Sequence, residues 1–189
     1  MPDRTFVIGI AGGTASGKTT FTYTLEQALS NYVIKVIHMD DYFKKAEDRP
    51  FSKAPITGVM YVDDNHPLTM DLPKLAIDLD IYINSSKYDV IIVEGLLTLW
   101  DENIEKQLDL RLFVECRNDE RTVRRIKRHM GWGQSFEDIT SVYLDLVRYR
   151  HDEYVEPTKW KADLFINGSN PSPLAVDCIC ALVDRKLNT

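Results

Sequence analysis

The chain reads as an α/β protein built on a doubly wound, mainly parallel five-stranded sheet with helices on both faces. Three observations predict it. Short, nearly unbroken apolar runs recur at 6–11, 33–39, 90–94, 110–115 and 164–167, the pattern of strands covered on both sides, where no face is left for water. The segments between them can supply the crossover helices that parallel neighbours require. The first run also leads directly into Gly12-Gly13-Thr14-Ala15-Ser16-Gly17-Lys18-Thr19, a complete GxxxxGK[ST] pattern between a predicted strand and a predicted helix.

In chain order, residues 6–11 form the first strand and residues 19–29 an amphipathic helix after the glycine loop. The second strand, 33–39, runs into His38-Met39-Asp40-Asp41-Tyr42-Phe43-Lys44. Residues 44–67 break the pattern. They are charged and punctuated by Pro50, Pro55, Gly58 and Pro67, which predicts an irregular, substrate-covering segment. Tyr42, Phe43, Phe51, Met60 and Tyr61 are its expected apolar anchors. A helix then leads to the strand 90–94, which closes on Glu94-Gly95, and a further helix precedes 110–115. Two helices separate that strand from 164–167, and a last helix follows. Nothing in the order or composition marks a linker or a repeat, so residues 1–189 are expected to form a single domain.

Composition excludes several classes of function. Hydrophobic residues make up 44% of the chain and charged residues 28%, as in an ordinary globular protein. A net charge of −6 speaks against a general nucleic-acid binder, which needs a broad basic face. The most hydrophobic stretch, 90–100, is interrupted by Glu94, so no membrane span is expected. Asp3 and Arg4 ahead of the first strand do not resemble a signal peptide, and a cytoplasmic protein is expected. Cys116, Cys178 and Cys180 have no metal or CxxC spacing and read as free thiols. His66, His129 and His151 lack zinc-ligand spacing, and Trp100 and Trp160 read as core or interface residues.

The glycine loop carries the chemistry. Its backbone N–H groups, from Gly12, Gly13, Thr14, Ala15, Ser16 and Gly17 through Lys18, Thr19 and Thr20, would curl around a polyphosphate, with the following helix aiming its positive end at the same anion. Lys18 would reach the outer phosphates and the Thr19 hydroxyl would ligate Mg²⁺. A P-loop NTPase-type fold that binds a nucleoside triphosphate follows. At the end of the second strand, Asp40 could take a proton from an attacking hydroxyl or help hold the metal. Glu94 closes an apolar strand, where a second metal-binding acid sits in phosphate-loop enzymes. Arg121, Arg124, Arg125 and Arg128, spaced i, i+3, i+4 and i+7, put four guanidinium groups on one helical face. A lid over about residues 117–135 could use them to neutralise a transferred phosphoryl group.

These residues, together with Val93-Glu94-Gly95 and Glu156-Pro157-Thr158-Lys159 within 143–163, resemble the uridine kinase and phosphoribulokinase superfamily, most nearly the uridine/cytidine kinases, over nearly the whole chain. The first segment is also similar to nicotinamide riboside kinases. The resemblance implies ATP-dependent phosphorylation of a hydroxyl on a nucleoside or related ribosyl compound, with Asp40 as base and Arg125 and Arg128 as lid arginines. Lys18 and Thr19 would attend phosphate and metal, and Asp40, Tyr42, Asp64 and Arg128 the acceptor. A homo-oligomer is also implied. Departures concern the acceptor: 79–89 is too short for the family's pyrimidine-holding hairpin, Trp132 and Gln134 replace further lid arginines, and Val142 stands in place of a base-reading glutamine. Asn65 aligns with a ribose-binding aspartate, with Asp63 and Asp64 beside it. A nicotinamide riboside or sugar kinase, and in another class a nucleotide-binding ATPase or switch, are the alternative readings.

Overall fold

The computed structural model describes residues 5–188. Seven strands are present among them: β1 (Phe6–Ala11), β2 (Ile34–His38), β3 (Phe51–Lys53), β4 (Met60–Val62), β5 (Val90–Glu94), β6 (Leu110–Glu115) and β7 (Leu164–Asn167). Five form a wholly parallel sheet in the order β2-β5-β1-β6-β7. The chain runs to one side of β1 for β2 and β5 and to the other for β6 and β7. The strand order therefore reverses at β1, and the carboxyl edge there is where such sheets bind ligands.

Period-two alternation sorts the strand side chains into two cores. Val7, Ile37, Ile91, Val93 and Phe113 pack with α2 (Leu72–Asn84) and α3 (Glu102–Glu105) on one face. Ile8, Ile10, Ile92, Leu112 and Val114 pack on the other with α1 (Lys18–Ala28) and α7 (Pro173–Leu187). Every residue of β1 and β5 is buried, and each large aliphatic among them contributes about 1.5–3 kcal/mol. Caps start the helices locally. The Asp71 side chain accepts from Lys74 N at 3.1 Å ahead of α2, and Ser135 Oγ accepts from Asp138 N at 3.0 Å ahead of α5 (Phe136–Val142). Before α5 lies α4 (Asn118–Gly131), the arginine helix. After it the chain winds through wide π-helical turns, Tyr143–Val147 and His151–Val155, on either side of α6 (Arg148–Arg150).

The segment expected to be irregular holds an antiparallel hairpin, β3 against β4. Its strands are three residues long, too short for alternation to be legible. Phe51 and Met60 are exposed and do not anchor it. Hydroxyls do: Thr57 Oγ1 and Tyr61 OH both donate to Asp145 Oδ2, at 2.8 and 2.9 Å. Trp160 is also no core residue, being 79% exposed beneath the Lys159 ammonium. The three cysteines are free, and no helix of the described residues is long and apolar enough to cross a membrane.

Two close approaches set the ends of the central strands. Gly95 N donates to Ile10 O at 3.0 Å, and a Cβ at Gly95 would overlap Met39 Cβ. Met39 is fully buried and opens the turn Met39–Tyr42 that presents Asp40. Behind the glycine loop, Arg121 is 4% exposed, so it does not share an open face with its neighbours. It is hydrogen-bonded to Asn118 and donates from Nη2 to His151 Nε2 at 3.0 Å. Its guanidinium fills the space where a side chain at Gly13 would sit. Because an arginine can only donate, His151 must accept, in its neutral form. Burial and the Arg121 charge push His151 down to about 4.

Gly95→Ala should cost about 1–3 kcal/mol through overpacking against Met39, seen as a lower urea midpoint at unchanged slope. An unmoved midpoint would mean that Met39 yields freely. For His151 the folded value lies below the unfolded one, so its contribution is present above about pH 6.5 and is lost as the pH falls towards 4. Between pH 7 and pH 4 the wild-type chain should lose more stability than His151→Gln. Parallel pH profiles for the two proteins would contradict a neutral, buried His151.

Candidate active site

β1 delivers the chain to the sheet edge, and residues 12–17 turn it into α1. Gly17 has φ +100°, in the region that favours glycine. Ser16 N donates to Gly13 O at 3.1 Å, closing the loop on itself. α1 starts with no side-chain cap and no acidic residue in its first turn. Its first N–H groups therefore face the loop without an internal partner, and the positive end of the helix is left unneutralised. The loop glycines Gly12, Gly13 and Gly17, with Thr14, Ala15, Ser16, Thr19 and Thr20, form a cradle suited to a polyphosphate. Lys18 Nζ folds back across it to donate to Gly13 O at 3.3 Å.

Parallel register brings the acids to the same edge. Glu94 lies opposite His38 on β2 and Ile10 on β1 and is 5% exposed. Its Oε1 accepts from Thr19 Oγ1 at 3.3 Å and lies 2.9 Å from His38 Nδ1. His38 was not singled out in the sequence; the signal lies in strand register, because it ends the neighbouring strand at the same level. Lys18 and Asp40 shift in ways that reflect this crowding. Burial pulls Lys18 below its ordinary value, against the attraction of Glu94 and Asp40. Burial raises the Asp40 carboxyl, Lys18 opposes that, and the Glu94 charge adds to it.

The arginines of α4 divide. Arg125 Nη1 and Arg128 Nη2 both donate to Thr14 Oγ1, at 3.1 and 3.2 Å, so two cations converge on the loop. Burial and the Arg128 charge lower Arg125 to about 10, which leaves it charged at neutral pH. Arg124 pairs with Glu120 and donates to Gly168 O at 2.9 Å, while Arg121 is committed to His151. Of the four, two reach the loop's open side.

Two recesses flank the loop. One of about 390 Å³ lies towards Gly17, Thr20, Arg124, Gly168 and Pro171. The other, about 320 Å³, holds Lys18, Thr19, Asp40, Glu94, Arg125 and Arg128. Its far wall is made by Phe43, Arg49, Asp64, Asn65, Met70 and Trp132. Asp64 thus joins the cavity, ion-paired to Arg49 at 3.0 Å, and the Arg49 guanidinium stacks 4.8 Å over Phe43. Tyr42 does not join it. Its hydroxyl donates to Asp78 Oδ2 at 2.9 Å, and Phe43 takes the wall position expected of it, because the Met39–Tyr42 turn rotates the two aromatics apart. Arg49 has no motif around it in the sequence to mark it, and Phe43, read there only as an apolar anchor of the following segment, is a wall residue of the cavity.

The donor set suits a hard cation that binds chiefly to phosphates. One carboxylate and one hydroxyl, Glu94 and Thr19, are 3.3 Å apart, and no group of three or more His, Cys, Asp or Glu able to hold a metal ion occurs among the described residues. Mg²⁺ typically takes one or two carboxylates, with water and substrate oxygens completing its shell.

Residues 56–172 match the model of the Phosphoribulokinase / Uridine kinase family. A uridine kinase of Lactococcus lactis subsp. lactis is 31% identical, with 98% of each chain covered. In fold, the chain is similar to a candidate fructose transport system kinase from Silicibacter sp. TM1040, with a TM-score of 0.65 at 15% identity over 86% of this chain and 90% of that one. It is also similar to a possible uridine kinase from Bacillus stearothermophilus, with a TM-score of 0.59 at 19% identity over 87% and 90%. With a phosphate loop at the switch point of the sheet and acids beside it, the chain belongs to the phosphoribulokinase/uridine kinase family, as a P-loop phosphotransferase acting on a hydroxyl group of a small molecule.

Proposed function

We propose that the protein transfers the γ-phosphoryl group of ATP to a hydroxyl of a nucleoside or related ribosyl compound. The observation that carries this reading is the shared cavity of Asp40, Lys18 and Glu94, with two lid arginines above it and a polar wall opposite. The loop N–H groups and Lys18 hold the outer phosphates. Asp64, with Asn65, accepts from the acceptor's hydroxyls and orients one towards Asp40. The Asp40 carboxylate, its proton affinity raised by burial, takes the hydroxyl proton as that oxygen bonds to the γ-phosphorus. The bond from the γ-phosphorus to the bridging oxygen breaks, and ADP leaves with the electron pair. Arg125 and Arg128 exchange the Thr14 hydroxyl for phosphoryl oxygens and stabilise the charge that spreads there.

Thr19 and Glu94 are the residues that would hold Mg²⁺, whose contribution is to neutralise charge on the outer phosphates. Glu94 is kept in place for that purpose by His38. Positioning and electrostatics supply the rate, since the protein itself forms no covalent bond. A nicotinamide riboside or sugar acceptor is the second reading. It is favoured by the short connection between α2, which ends at Asn84, and β5, which starts at Val90, with no strand between them to hold a pyrimidine.

An ADP-release assay across nucleosides, nicotinamide riboside and sugars should show turnover that depends on one acceptor class; release indifferent to every acceptor would support a plain ATPase instead. Asp40→Asn should lower kcat by about 10²–10⁴ with ATP affinity nearly intact, and a variant near full activity would remove Asp40 from the base role. Lys18→Ala should cost roughly 10²–10³ in kcat/KM for ATP whatever the acceptor. Unaltered kinetics there would count against the loop assignment.

A further inference from the structure

Asp63 and Asp64 leave β4 facing opposite ways. Asp64 lines the cavity, whereas the Asp63 side chain is fully buried, with Arg150 Nε at 2.6 Å from its Oδ2. Its Oδ1 accepts from Asn65 N at 3.2 Å, and its carbonyl accepts from His66 N at 3.3 Å and from the Thr69 hydroxyl. One residue therefore organises the turn that carries Asp64 and Asn65. Arg150 is held in its own right by Glu153 and by the Tyr154 ring, 5.6 Å from the guanidinium. Tyr154 also meets the edge of His66 at 5.3 Å. Further along the hairpin, Asp145 takes the Thr57 and Tyr61 hydroxyls. Two carboxylates, one contributed from each side, thus fasten residues 57–63 to the winding segment 143–155, in which the wide turns flank Arg150.

We infer that Asp63 and Arg150 are positioning residues for the phosphate acceptor: the ion pair of the fully buried Asp63 carboxylate with the partly buried Arg150 sets the distance of the Asp64–Asn65 wall from Asp40. The inference rests on the reading of that wall as the acceptor side. Physically, a buried pair is a poor source of net stability, because desolvation offsets most of its attraction. It does impose direction. A buried carboxylate deprived of its arginine has no equivalent partner, so the turn can settle in only one register while the pair is intact. None of these contacts is made to the glycine loop itself; within the same winding segment it is His151, not Arg150, that meets Arg121 behind Gly13.

The test compares Asp63→Asn, Arg150→Met, Arg150→Lys and the double variant Asp63→Asn/Arg150→Met with the wild-type chain. Amide hydrogen exchange over residues 60–70 should accelerate by about tenfold or more in the two single neutral variants, with residues 12–20 unchanged. With uridine, or whichever compound of the acceptor panel gives the most turnover, acceptor KM should rise by about tenfold while ATP KM and acceptor-independent hydrolysis stay within about twofold. Arg150→Lys should recover most of both effects, and the double variant should cost less than the sum of the singles. Unaltered exchange over 60–70, exchange raised equally throughout the chain, or acceptor and ATP KM rising together would overturn the inference. If the wild-type chain turns over no acceptor, the proposed substrate class fails by that result alone, and the exchange measurement still decides whether the pair fastens the wall.

Discussion

Everything in the site depends on the parallel pairing of β5 with β1 and β2. That pairing is fixed by burial on both faces of the central strands, and a slip of one residue would send each aliphatic to the wrong core. Because the strands run the same way, their carboxyl ends finish together. Ile10, His38 and Glu94 stand side by side, and the chain leaving each strand enters the same small space. The glycine loop leaves β1, the Asp40 turn leaves β2, and Gly95 leaves β5. A packing constraint in the hydrophobic interior thereby becomes a cluster of loop, acid and lysine at the rim.

The rim is electrically tense by construction. Lys18 is flanked by two acids and two arginines, and burial depresses it while those acids support it. Asp40 is pushed the opposite way by the same crowding. Opposed shifts of this kind mark a crowded, partly desolvated charge cluster, a feature common at functional sites. Arg125 and Arg128 meet on the single hydroxyl of Thr14, a weak acceptor for two cations. A polyanion held in the loop would offer both a better partner.

The wall opposite the loop follows another logic. Where the loop is backbone geometry around glycines, the far wall is a set of side chains gathered from several segments, with Asp64 and Asn65 leaving the short hairpin just after β4. Arg49 reaches Lys44 O at 2.9 Å and Asp64, and Asp63 reaches Arg150, 87 positions away. Such a wall can change from one family member to another without disturbing the loop.

The sequence by itself determined the sheet, its five strands, the glycine loop, and Asp40 and Glu94 at strand ends, because each is written locally: an apolar run, a glycine spacing, an acid after a β-branched stretch. It also placed the arginines on one helix. Only the tertiary structure decided which of them serve the loop, since helical spacing cannot tell that Arg121 packs against His151 while Arg125 and Arg128 turn to Thr14. Nor could it separate Asp63 from Asp64, or Tyr42 from Phe43. Neighbours of the same type differ there only in direction, and direction is set by partners on other elements: Arg150, Arg49 and Asp78. Local chemistry is legible in one dimension, but the side of the chain on which a residue acts is settled by what packs against it.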